Sequence, residues 1–261
     1  MNTLFAKYKN EIITCNPSAP FSSELCLHSD DQVSVFYAPF DYIKEGAKIV
    51  ICGITPGSTQ ATEALNVAKS GLINHESDAE IIKKAKGKAS FKSFRNSLSK
   101  MMDEIGLNYK FGIESCLSLF DDNCTLMHPT SALRYPVITA KGDLYNGSPN
   151  PLKNAYLIKM QDSMLKEEIE LLGPDCLWLG LGKATNIILD RQVKNGVLLE
   201  KQFLRGFPHA AGSNNERIKY FIGEKPAALC SKKVDTQKMD FDKSLLIKKV
   251  SKLPVFSQPV L

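Results

Sequence analysis

The stretch Ala47 to Gly57, AKIVICGITPG, constrains this chain more than any other. Lys48 to Gly53 is apolar almost without interruption, the pattern of a strand covered on both faces rather than of one with a wet side. It runs straight into a turn in which Thr55 and Pro56 lie between two glycines. A second turn of similar character, Phe207 to Asn215 (FPHAAGSNN), follows another apparent strand and carries His209 just before a helix start. Two such turns at the carboxyl ends of strands predict one pocket at the edge of an open α/β sheet.

The rest of the chain alternates in the same way. The patterning predicts an N-terminal helix over roughly residues 2–13, a strand over Gln32 to Ala38, and a helix beginning near Ser58 or Thr59, whose hydroxyls can cap it. Residues 75–88 read as a very basic helix or loop. Phe91, Phe94, Leu98, Met101, Met102 and Ile105 recur every three or four positions and predict an amphipathic helix stopped by Gly106. Cys124 to Met127 reads as a short strand entering His128-Pro129-Thr130-Ser131, and Ala132 to Thr139 as an extended return. Lys141 to Pro151 is dense in turn formers and reads as a loop. Leu157 to Leu172 predicts a long helix ended by Gly173-Pro174. Asp175 to Leu181 predicts a second core strand, holding Cys176 and Trp178, with a helix opening at Gly182. Val197 to Leu204 predicts a last strand, and the Ser213/Glu216 spacing a capping box. The expected architecture is a three-layer α/β/α fold with a mostly parallel central sheet.

At 261 residues the chain suits one domain, expected over 1–230, with a basic tail at 231–261 that carries seven lysines against three aspartates. Hydrophobic content of 43% excludes a disordered chain. No apolar run approaches the ~18 residues of a membrane span, and the N-terminus has no signal-peptide core, so the expected address is the cytoplasm. The seven cysteines contain no Cys-x-x-Cys pair, which speaks against a zinc ribbon or a cluster site and for reduced thiols.

Four segments in order resemble the uracil-DNA glycosylase superfamily: GITPG at 53–57, ASFKSFRNSLSKMMDEIGL at 89–107, LGPDCLWLGLGKAT at 172–185 and PHAAGSNN at 208–215. The family's first motif has the form Gly-x-(Asp/Asn)-Pro-(Gly/Tyr), and its last is His-Pro-Ser-Pro or a relative. The resemblance covers roughly residues 33–225. It implies a monofunctional DNA glycosylase that extrudes a base, hydrolyses its N-glycosidic bond and leaves an abasic site. DNA is the implied partner, the implied state is a monomer, and neither metal nor organic cofactor is implied. No lysine sits where a Schiff-base nucleophile is evident, so strand cleavage is not expected.

Breaking that bond puts negative charge on the departing base, and a neutral His209 can donate a hydrogen bond to the oxygen where it develops. Gly53, Ile54, Pro56 and Gly57 would form a stiff turn that lets backbone approach the flipped nucleotide. Thr55 stands where relatives carry Asp or Asn to hold the attacking water, with an ordinary turn hydroxyl as the competing role; a hydroxyl can orient water but cannot serve as a base near neutral pH, so either the reaction leans on dissociative bond breaking or another acid such as Asp41 or Glu63 helps. Phe91 matches an aromatic that stacks on the base, with core packing as the competing role. Ser131 falls where many relatives carry the asparagine that reads uracil, and serine cannot make that bidentate fork. Ser213 stands where relatives place a wedge. Asn214 and Asn215 read as phosphate or base contacts or as a helix cap. Lys83, Lys84, Lys86, Lys88, Lys92 and Arg95 form a basic stretch that reads either as a solvated face or as a DNA-backbone contact. His128 could line the pocket. The departures at 55, 131 and 213 imply a pocket enlarged beyond plain uracil, and modified cytosines of viral DNA, as in a defence enzyme, fit that space. Two other readings stay open: a glycosylase-like module that binds DNA without turnover, and a small-molecule α/β enzyme.

Overall fold

A computed structural model of the chain describes residues 4–90, 94–121, 123–210 and 212–256, without the side chain of Ser213. In chain order the elements are α1 (Leu4–Thr14), β1 (Cys26–Ser29), β2 (Val33–Phe36), β3 (Ile49–Gly53), α2 (Ser58–Ile73), α3 (Asp78–Ala89), α4 (Arg95–Glu104), α5 (Leu107–Phe111), β4 (Met127–Ser131) and β5 (Val137–Thr139). They continue with α6 (Ala155–Met160), α7 (Lys166–Leu172), β6 (Leu177–Gly180), α8 (Lys183–Lys194), β7 (Phe203–Leu204), α9 (Asn215–Phe221) and α10 (Thr236–Ser251). One π turn, Gln161–Leu165, joins α6 to α7.

The central sheet has the order β4-β3-β6-β7, with every pairing parallel. All five residues of β3 are buried, as its unbroken apolar run requires. Period-2 alternation splits that strand between two cores. Val50 and Cys52 face one with Leu65, Ile81, Leu157 and Trp178, and Ile49 and Ile51 face the other with Leu98, Met101, Phe207 and Leu246. Helices cover both faces, giving the three-layer α/β/α arrangement. Trp178 and Cys176 are core residues.

Beside the main sheet lies a three-stranded antiparallel sheet, β1-β2-β5, which the alternation alone did not separate from it. Three other local features depart from the sequence pattern. Gly57, not Ser58 or Thr59, occupies the cap of α2, and its N–H donates to Gln60 Oε1 at 3.0 Å. The last strand shortens to Phe203–Leu204, because the N–H groups of Val197 and Leu198 turn back to the Gln192 carbonyl and close the end of α8. The Ser213/Glu216 capping box is replaced by Asn214 at the cap of α9, and the Glu216 carboxylate instead accepts from Lys225 and Ser231.

The lysine-rich segment after residue 230 is built into the fold. α10 buries Leu246 and Val250 in the second core, and Lys243 bonds Glu104 at 2.6 Å and the Phe221 carbonyl at 2.7 Å. The seven cysteines are free thiols. Among the described residues no helix is long and apolar enough to cross a membrane.

Candidate functional site

Parallel pairing brings the carboxyl ends of β4, β3, β6 and β7 to one edge, and the expected site residues follow those ends. Ser131 closes β4 directly opposite Gly53, the last residue of β3. Beyond that pair the two chains stay joined: Ala132 N–H donates to the Gly53 carbonyl at 2.8 Å and Leu133 N–H to that of Ile54 at 2.9 Å. The Gly53–Gly57 turn and the Ser131–Arg134 segment are therefore one rigid unit.

Thr55 stitches that unit to the second sheet. Its hydroxyl donates to the Tyr135 carbonyl at 2.9 Å and accepts from Val137 N–H at 3.0 Å. The one hydroxyl proton is committed, so toward a water Thr55 can act only as an acceptor. Gln60 clamps the same turn to the end of α3, accepting from Gly57 N–H and donating to the Ala89 carbonyl at 3.1 Å.

Between these pieces lies a hollow walled by Phe40, Pro56, Lys86, Ser90, Ser131 and Arg134. It is small, about 20 Å³. Phe91 and Lys92, which follow Ser90, lie outside the described residues. Phe40 is the aromatic found in the wall, a position sequence reasoning passed over.

Behind the hollow stands a buried ionic cluster. His128 does not line the pocket: it is fully buried, its Nδ1 accepts from Lys44 N–H at 3.3 Å, and its Nε2 lies 2.5 Å from Glu168 Oε1. With Nδ1 accepting, the ring proton belongs on Nε2 and is donated to the carboxylate. Burial and the neighbouring Lys86 push the His128 pKa down to about 4. Lys86 is 3% exposed and donates to the Tyr42 carbonyl at 2.7 Å and to Glu168 Oε1 at 3.2 Å. Arg134 Nη2 lies 3.5 Å from Glu168 Oε2 and 2.8 Å from the Met164 carbonyl. Although burial alone would raise its pKa, these cations and the His128 bond hold the Glu168 carboxyl well below the usual range.

Lys86 thus leaves the basic stretch; no solvated face or DNA contact includes it, because its ammonium serves the buried carboxylate. Lys83, Lys84 and Lys88 remain exposed, with Lys84 paired to Glu76 at 2.8 Å. Arg95 also turns inward, donating to the Ser90 carbonyl at 2.8 Å and lying over the Phe120 ring. The Lys86 signal in the sequence was the helical period, which sets it one turn after Ile82 and one turn before Ser90. Its Ser90 bond, hydroxyl to the Lys86 carbonyl at 2.5 Å, runs along that same face.

His209 stands on the turn after β7, beside the end of β6. Gly182, with φ +83°, lets β6 turn away there, and a Cβ at that glycine would meet His209 Cβ at 3.4 Å. The Phe94 ring packs against the imidazole with centroids 5.8 Å apart. Burial lowers the His209 pKa, which keeps the ring neutral near pH 7. His209 lines a second, larger groove of about 880 Å³, shared with Gly182, Asn214 and Arg217 and closed on one side by α10. Asn214 accepts from Arg217 at 2.8 Å, and Asn215 is exposed at the start of α9. The Thr55 and His209 bends therefore share one sheet edge but open into separate hollows.

Of the carboxylates named as helpers, Asp41 is half-buried and fixed, accepting from Tyr37 Oη at 2.8 Å and Tyr135 Oη at 2.6 Å. Glu63 lies on α2. No group of His, Cys, Asp or Glu among the described residues is arranged to hold a metal ion.

No protein-family model matches the chain. An uncharacterized protein of Bacillus subtilis (strain 168), YoxB, is 29% identical over 201 residues, 76% of this chain and 78% of that protein. The similarity extends over most of the domain and brings no activity with it.

Proposed function

We propose that the protein is a monofunctional DNA glycosylase acting on a flipped uracil-like or modified-cytosine base, in viral DNA where the chain serves defence. The observation that carries this reading is the convergence of the Gly53–Gly57 turn, Ser131 and the His209 turn on the carboxyl edge of adjacent parallel strands, where open α/β sheets place their ligands.

The reaction would break the bond from C1′ to the base nitrogen, with its electron pair leaving on the base. Neutral His209 would donate its ring N–H to the base oxygen that gains charge, a contribution of about 10²–10³ in rate for a well-placed donor. Water adds its oxygen to C1′ and gives up a proton that passes, through solvent, to the departed base anion, leaving an abasic sugar and the free neutral base. Hydrolysis of this kind consumes only water.

The test is incubation with oligonucleotides bearing uracil, hypoxanthine, xanthine, thymine mismatches, or hydroxymethylated and glucosylated cytosines, followed by alkali to reveal abasic sites. Alkali-labile product from at least one of them, lost by about 10²-fold or more in His209→Ala, is the expected result. A second reading, a DNA-binding module without turnover, is favoured by the committed proton of Thr55. Binding to DNA with no abasic product on any substrate would establish it instead.

A further inference from the structure

Buried polar atoms without partners are few in folded proteins, and where one belongs to a residue lining a hollow, a water or a ligand can complete its bonding. Two of them belong to residues that line the hollow beside Pro56: Thr130 Oγ1 and Arg134 Nε. Thr130 is 6% exposed and Arg134 8%. An unmet guanidinium N–H asks for an acceptor, and a hydroxyl can add a second donor.

The charges around the hollow point the same way. Lys86 and Arg134, both in its wall, share the single buried carboxylate of Glu168, while the His128 ring in contact with that carboxylate is neutral. Two other acids sit at the margin. Glu167, 3.5 Å from Arg134, has a side chain 58% exposed, and both oxygens of Asp41 already accept tyrosine hydroxyls. No carboxylate lines the hollow among the described residues. Its volume of about 20 Å³ admits a single water-sized group, which suits one oxygen of a larger ligand and not an aromatic ring.

We infer that this hollow is an oxyanion subsite, in which Arg134 Nε and the Thr130 hydroxyl donate to a carboxylate or phosphate oxygen of the ligand. This rests on the glycosylase reading only for what carries the oxygen: an acidic substituent on the extruded base or a phosphate of the DNA backbone. It makes Arg134 and Thr130 specificity-determining residues, and it replaces the neutral amide reading lost with Ser131 by charge-assisted donation.

Titration calorimetry of the full chain with inorganic phosphate, uracil-5-carboxylate and uracil tests it. The two oxyanions are expected to bind, with uracil about tenfold weaker or undetected. Arg134→Gln should weaken both oxyanions by about tenfold or more, and the isosteric Thr130→Val by several-fold with an unchanged circular dichroism spectrum. The valine variant keeps the test decisive where the glutamine variant fails to fold. Displacement of phosphate by an abasic oligonucleotide with no binding of uracil-5-carboxylate assigns the oxygen to the backbone; binding of uracil-5-carboxylate assigns it to the base. Equal affinity for uracil and its carboxylate with no phosphate binding, or oxyanion affinity unchanged in Thr130→Val, overturns the inference. Binding is read without turnover, so failure to cleave any DNA would remove the glycosylase reading and leave this result standing.

Discussion

Replacing Glu168 by glutamine removes the one anion that two buried cations share. In the folded protein Glu168 Oε1 accepts from Lys86 at 3.2 Å and from His128 at 2.5 Å, and Oε2 faces Arg134 at 3.5 Å. The glutamine would leave the Lys86 ammonium at 3% exposure with the Tyr42 carbonyl as its remaining strong acceptor. Breaking a buried pair from one side costs about 3–5 kcal/mol, because the surviving charge cannot return to water. At about 2–4 °C per kcal/mol for a chain of this size, the midpoint should fall by roughly 6–20 °C. Lys86→Met should cost a similar amount, because it leaves the carboxylate with the His128 N–H and the long 3.5 Å contact to Arg134. The double variant, Lys86→Met with Glu168→Gln, loses both charges together and should recover much of the stability, with a coupling of about 2 kcal/mol or more. Urea unfolding at pH 7.5 followed by circular dichroism measures all three. Single variants that each cost less than about 1 kcal/mol, or costs that add in the double variant, would show that the cluster is solvated and refute the argument from burial.

The same cluster sets the acid limit of the fold: the unfolded His128 ring takes a proton near its ordinary 6.5 and the folded one only near 4, so its contribution is full above pH 6.5 and is lost as pH falls toward 4. At about 1.4 kcal/mol per pH unit this amounts to about 3 kcal/mol, and a His128→Gln variant should show a flatter stability profile over that window in pH-dependent urea melts; the lowered Glu168 carboxyl adds its own loss only below its ordinary 4.5. Thr55→Val should lower stability by about 1–3 kcal/mol, since it leaves Val137 N–H and the Tyr135 carbonyl unpaired, whereas Thr55→Ser should restore both bonds; thermal melts of the two variants compare them. Leu246→Ala, at a position 2% exposed, should cost about 2–5 kcal/mol by the same assay, and an unchanged midpoint would mean that α10 is dispensable for the core.

Elements whose local pattern is also their tertiary role were legible in the sequence. The run Ile49–Gly53 is buried on both faces and reads as a central parallel strand; Leu98, Met101 and Met102 of α4, with Ile105 just past its end, form the stripe that fills the second core. The site's outline came with them, because turns at strand ends must reach the same edge once the strands are parallel. What stayed hidden depends on partners distant in the chain. Lys86 looks like Lys84 and Lys88 until Glu168, on another helix, comes beside it. His128 reads as a strand-end residue facing a pocket, yet β4 extends through Ser131 and turns the ring inward. The Val197–Leu204 run has strand composition, but its first residues complete the end of α8. In the last segment the density of lysines masked the i, i+4 pair Leu246 and Val250, while the lysine stems and ammonium groups reach back to Glu104, Phe203 and Glu200.

The arrangement around Thr55 also bears on how a hydrolysis at this edge would be driven. A turn that carried an aspartate here would present a base to the water; this one presents a hydroxyl whose proton goes to Tyr135 and whose partner bond holds Val137. The nearby fixed carboxylate, Asp41, is tied to the same turn through Tyr135, since that residue takes the Thr55 proton on its carbonyl and donates its own phenol to Asp41. Tyr37 and Tyr135 each donate a phenol hydroxyl to one oxygen of Asp41, so the carboxylate is held in place by the fold. A glycosylase built this way would gain most from the imidazole at 209, which acts on the leaving base, and least from general-base help, and bond breaking would run ahead of water attack.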